Sequence, residues 1–330
     1  MTLGTGSPRG VRFGLWALLL LGVGCASTQT KKLEATYGPT ESIIEVVAVL
    51  RRHIPDDTYR FPPATDFTGR NVYRSSLLRL ENIERIQADP LRSGYMDPVV
   101  DFAKARALER LRAYPLATLL YLRASEREGE LSEPAKKSAA ILEQISGALS
   151  VGIHLENPLD QPPLPAVQEV EDPQRVIAEL EERVALLSFL YDELDGNYMQ
   201  AVVAEEIERS DEVRAAYFVG RRHILPDGQL LAVSELQRVV SRHAASKNRL
   251  RHMISLADLY DDLAREYVNA SPPQSLDFDP AQFQDLIDPA AQLYESVAAH
   301  DGTVEKLEAA RKLEALLAFT LQVDVDRFSD

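Results

Sequence analysis

Apolar positions in this chain return at steps of three and four residues and almost nowhere at steps of two. The clearest run is Ile177, Leu180, Val184, Leu187, Tyr191 and Leu194, whose alternating steps of three and four make a coiled-coil-type seam. Such periods place apolar side chains on one face of a helix. They predict helices near 42–54, 71–88, 98–112, 115–128, 134–151, 173–195, 197–223, 229–269 with a break near Ser246, 280–299 and 303–322. No stretch alternates as a strand, and no Asn-Gly or Asp-Gly joins two strand-like runs. The expected fold class is all-α, with about ten helices arranged as helical hairpins in a solenoid or a bundle. Leu186 and Leu190 broaden the 177–194 seam, which suits a helix buried within one chain; the alternative use of the seam is a homodimer.

Helix starts are marked by Asp-Pro, at Asp97-Pro98, Asp172-Pro173, Asp279-Pro280 and Asp288-Pro289. The aspartate accepts free backbone N–H groups, and proline fits the first helical turn because its missing N–H costs nothing there. Ser42 and Glu45 have the spacing of a capping box. Between the fifth and sixth helices, residues 153–171 contain Pro158, Pro162, Pro163 and Pro165. Proline removes backbone donors and stops helices, so this stretch reads as a semi-stiff linker or surface loop. It divides an N-terminal helical part, 41–152, from a C-terminal one, 172–330. A second loop, 55–70, carries Pro62-Pro63 together with Tyr59, Phe61 and Phe67, and is expected to pack onto helices.

The third and fourth helices carry a recognisable spacing. Ala105 and Leu108 are followed by Tyr114, Ala117, Tyr121 and Ala124. Small residues let two helices approach closely and the aromatics fill the space beside them. This spacing resembles one tetratricopeptide repeat; Ala139 and Leu142 stand where a following repeat would begin, and Ala290, Tyr294 and Val297 echo it faintly. The resemblance implies stacked helix pairs with a groove suited to peptides or partner helices. On this reading Tyr114 and Tyr121 are structural.

A different echo links Arg51-Arg52-His53-Ile54-Pro55-Asp56 with Arg221-Arg222-His223-Ile224-Leu225-Pro226-Asp227. Both end a helix, where basic residues complement the helix dipole. The same Arg51, Arg52, Arg221 and Arg222 also offer cationic contacts for an acidic partner or a phosphate. They stand out because the chain has 51 acidic against 36 basic residues and a net charge of −15. Such a surface repels nucleic acid, which is excluded as an expected partner.

Chemistry is sparse. None of His53, His154, His223, His243, His252 and His300 lies three or four residues from another, so no paired-histidine metal site is expected. His243 reads as a hydrogen-bonded histidine at the edge of the core. No nucleophile elbow and no glycine-rich phosphate loop occur, and no cofactor is expected. Asp324 and Asp326 lack the glycine and glutamate of a calcium loop. Glu295-Ser296 resembles the catalytic glutamate of lytic transglycosylases, and this keeps a cell-wall-active hydrolase or transglycosylase as the alternative function.

The single cysteine, Cys25, follows Arg9, Arg12, the apolar run 15–21 and Gly22-Val23-Gly24. A positive start, a short apolar core and small residues make an export signal over 1–24. The segment resembles bacterial lipoprotein signals. The resemblance implies that Cys25 becomes the acylated N-terminus, and Ala26 after it implies the outer membrane. Residues 26–40 then form a tether. The expectation is a periplasm-facing, outer-membrane lipoprotein, not an enzyme, whose helical body binds or scaffolds other envelope proteins.

Overall fold

The computed structural model describes residues 42–51, 72–93, 96–152 and 172–328. Cys25, the signal, the tether, Arg52, the 55–70 loop and the 153–171 segment lie outside the described residues. The fold is all-α. Eleven helices are present among the described residues: α1 (42–51), α2 (Val72–Ser93), α3 (Asp97–Arg110), α4 (Tyr114–Ser125), α5 (Ser132–Leu149), α6 (Pro173–Glu193), α7 (Met199–Arg221), α8 (Gly228–Arg242), α9 (Arg249–Ala270), α10 (Pro280–Ala298) and α11 (Val304–Arg327). The expected break near Ser246 is a turn between α8 and α9. None of the described helices is long and apolar enough to cross a membrane.

Helix starts follow the Asp-Pro rule in two of four places. Asp172 accepts the N–H of Gln174, and Asp279 accepts the N–H of Ala281. The other two differ. Asp97 is already inside α3, its carboxylate 3.0 Å from Arg127. Asp288-Pro289 lies in the middle of α10. The buried face Phe283, Ile287, Ala290, Tyr294 and Val297 runs straight past Pro289, and burying it outweighs the one backbone hydrogen bond that proline removes. In α2 the balance tips further: Gln87 leaves helical geometry three residues before Pro90, so the helix kinks where the sequence predicts an end.

Consecutive helices pack on one another along the chain, and α5 with α7 and α9 with α11 add contacts across one neighbour. The described residues fall in one compact unit. Ala105, Tyr114, Ala117, Tyr121, Ala139 and Leu142 share a core with Leu187, Leu194 and Val203, so helices on both sides of the 153–171 segment contribute to it. The 177–194 seam is spent in this packing: Leu180, Val184, Leu187 and Leu194 are buried. Leu190 widens it as expected, but Leu186 and the seam residue Tyr191 are exposed, and Val176 is buried where Ile177 is only half-buried. Ala290, Tyr294 and Val297 sit in a second core with Phe283, Ala309 and Leu316.

Candidate functional site

The charged interior of the molecule is carried by α7. Its middle reads Glu205-Glu206-Ile207-Glu208-Arg209-Ser210-Asp211-Glu212. Because α7 is packed against α6 and α8 and also touches α5, it cannot turn all of these groups to water. Each buried acid is instead met by a donor from another part of the chain. Glu205 lies 3.1 Å from Arg110 of α3 and 2.7 Å from Lys247 of the α8–α9 turn. Glu206 accepts two hydrogen bonds from Arg112, at 2.8 and 2.7 Å, and one from the Tyr114 hydroxyl at 2.6 Å, with Arg209 at 2.8 Å. Glu208 accepts from the Ser246 hydroxyl and faces His252 Nε2 at 2.6 Å. Asp211, fully buried, is surrounded by Arg238 at 2.9 Å, Arg242 at 3.0 Å and His243 at 2.8 Å.

The Glu206 site shapes the backbone of its partner. Arg112 follows α3 with φ +63°, left-handed geometry that costs a residue with a side chain about 1–2 kcal/mol. The paired hydrogen bonds to Glu206 offset that cost and pin the α3–α4 turn to a helix 94 residues further on. Burial pushes the Glu206 carboxyl up, but Arg209 and Arg112 outweigh it and hold the group below its ordinary range. Glu208 and Asp211 behave alike: burial raises each, hydrogen bonds from His252 and from His243 respectively lead the opposing effects, and both end lowered. Glu109, on α3, is the contrast. It is sealed in the core with the Tyr121 hydroxyl at 2.8 Å, the Tyr198 hydroxyl at 3.2 Å and Arg106 only at 3.4 Å. Burial wins there and raises its carboxyl.

A cavity of about 400 Å³ opens beside this network. Tyr191 of α6, Glu205 and Glu208 of α7, and Arg242, His243 and Lys247 around the α8–α9 turn line it. Within the lining Glu205 pairs with Lys247, and Asp211 behind it holds Arg242 and His243. Below the wall, the rings of His243 and His252 stand 6.1 Å apart. His252 is buried between two carboxylates, Glu208 on Nε2 and Glu212 3.4 Å from Nδ1. Glu208, Glu212 and His252 have ligand atoms within 4.8 Å of one another. The two acids stand nearest different ring nitrogens of His252. Burial raises the Glu212 carboxyl, opposed by His252 and aided by Glu208.

The residues singled out from the sequence stand elsewhere. Arg51 is exposed at the end of α1. Arg222 lies 2.5 Å from Glu266 and donates to the Val219 carbonyl, and Arg221 lies 5.9 Å from the Tyr217 ring. Neither lines the cavity. Glu295 is exposed on α10. His243 is found at the C-terminal cap of α8, bonded to Asp211. Tyr114 and Tyr121 are buried, and each also donates to a buried glutamate. The acids of α7 were not singled out. Their signal is spacing: 205, 208, 211 and 212 are separated by three, three and one residues, which puts four carboxylates on one side of a helix packed between neighbours.

Comparison of the chain with protein-family models, with curated proteins and with solved structures found no match.

Proposed function

We propose that this chain is a lipid-anchored protein of the bacterial envelope, tethered through Cys25, whose helical body binds another envelope protein and performs no chemistry of its own. The cavity beside α7 is its recognition site. The observation that carries this reading is that both carboxylates lining the cavity are paired, Glu205 with Arg110 and Lys247, and Glu208 with Ser246 and His252. Glu208 is held below its ordinary range by His252 and Ser246, the reverse of what a general acid requires. A cell-wall hydrolase or transglycosylase would want a raised carboxyl facing substrate. Glu109 is raised but sealed among Tyr121 and Tyr198, Glu212 is raised but does not line the cavity, and Glu295 is solvated. A rigid wall of fixed charges beside an open space suits recognition of a polar segment of a partner.

The test uses the full chain in its own envelope. Wild type, Cys25→Ser and Ala245→Trp are compared by detergent-phase partitioning and by cross-linked capture. Ala245 lines the cavity, is exposed and takes part in no ion pair, so a large ring there fills the space without removing any charged partner. Cys25→Ser is expected to leave the detergent phase. Ala245→Trp is expected to stay in it, to melt like wild type and to lose the captured partner. A Cys25→Ser protein that still partitions with detergent rejects the tether; unchanged capture by Ala245→Trp rejects the cavity as the binding site.

A further inference from the structure

The last helix has two apolar faces. Ala309, Leu316 and Val323 point into the second core. On the opposite side, Leu307, Ala310, Leu317, Ala318, Leu321, Val325 and Phe328 form a second stripe along the length of α11, and its large members are exposed: Leu307 at 73 %, Leu321 at 66 % and Phe328 at 78 %. Stacked helical arrays stay soluble by ending in a helix with a polar outer face. α11 lacks one.

We propose that this stripe is a self-association surface, on which α11 of one molecule packs antiparallel against α11 of a second copy. Three observations commit the face to that occupant. The stripe reads the same from either end: 307, 310, 314, 317, 318, 321, 325 and 328 are separated by 3, 4, 3, 1, 3, 4 and 3 residues. An interface between identical copies needs that property, because residue i must meet residue j while j meets i. With the centre between 317 and 318, Leu307 falls opposite the partner's Phe328, and Ala310 opposite the partner's Val325. Glu314, the one charge on the stripe, falls opposite the partner's Leu321; in a parallel pair it would face its own copy, and like charges there are destabilising.

The area is also adequate. Five large exposed side chains at roughly 100 Å² each give about 500 Å² per copy, or about 1,000 Å² in total, the lower bound of a specific interface.

The experiment uses the full chain in detergent with Cys25→Ser, so that introduced cysteines are the only thiols. Leu307→Cys and Phe328→Cys are each expected to give no disulfide dimer alone and a high yield when mixed. Sedimentation is expected to show a dimer that dissociates at least about tenfold more readily in Leu321→Glu, since a charge replaces an apolar contact on both copies. Thermal melting of the Leu321→Glu monomer is expected to match wild type diluted until it is monomeric. A wild-type monomer at every concentration overturns the proposal. So does self-cross-linking of either single cysteine variant, or a Leu321→Glu monomer that melts below diluted, monomeric wild type, which would mean that the chain covers this face itself.

Discussion

Glu109 and Glu206 are both glutamates with almost no exposed surface, yet their surroundings set them apart. Glu206 has two arginines and a tyrosine hydroxyl in contact and is held ionised. Glu109 has two tyrosine hydroxyls, an arginine at the edge of range, and an Oε1 with no hydrogen-bond partner among the described residues. Replacing a carboxylate by an amide should therefore have opposite consequences. Glu206→Gln leaves Arg112 and Arg209 without a counter-charge and is expected to cost about 3–5 kcal/mol. Glu109→Gln keeps the hydroxyl contacts, removes the cost of burying a charge, and is expected to be neutral or to stabilise by about 1 kcal/mol. Helix melting followed by circular dichroism decides it; equal losses from both variants would show that burial, not pairing, governs these sites. Tyr114 and Tyr121 could be read from the sequence as packing residues. Their hydroxyls could not be assigned, because the glutamates they bond are fixed by helix packing and, for Glu206, lie 92 residues away.

Among the helices, the turn between α7 and α8 shows what spacing alone leaves out. Asp227 adopts φ +53°, and Gly228 opens α8 with its Cα so close to the preceding turn that a Cβ would stand 2.3 Å from the Arg222 carbonyl oxygen. Gly220, eight residues earlier on the exposed side of α7, meets nothing within 4 Å at the same test. Gly228→Ala is expected to destabilise by about 1–3 kcal/mol through forced backbone movement. Gly220→Ala is expected to stabilise by about 0.5–1 kcal/mol, the helix preference of alanine. Chemical denaturation of the two variants tests this, and a harmless Gly228→Ala would mean that the turn relaxes freely. Element positions were largely legible, since the apolar period and the Asp172 and Asp279 caps are local signals. Pro289 misled for the converse reason: whether a helix survives a proline depends on the core beneath it, which local spacing does not reveal.

Across the whole molecule, Glu206, Glu208 and Asp211 share one electrostatic character. Burial would raise all three, the cations and hydrogen bonds around them outweigh it, and each carboxyl is lowered. A lowered folded-state value means that the stabilisation is complete above the ordinary carboxylate range and is lost as pH falls through and below it. The melting temperature is therefore expected to hold from pH 7 to about 5 and to drop steeply from about 4 downward. Glu109, with a raised value, works in the other direction and softens the drop. A melting temperature that rises or stays level from pH 5 to pH 3 would contradict this account. The site was only partly legible at this scale: α7 could be predicted as a helix, but the partners of its acids come from α3, α8, α9 and the turns beside them. The same arrangement bears on the order in which the chain assembles. Contacts between neighbouring helices form early and locally, since little chain entropy is lost in closing short loops. Glu205 and Glu206 wait for Arg110 and Arg112 from the amino-terminal side, while Glu208 and Asp211 wait for His252 and Arg238 from the carboxy-terminal side. Until both flanks dock, α7 holds carboxylates that it cannot bury, so neither flank completes its folding without the other, and a truncation on either side leaves the central helix unable to enter its core.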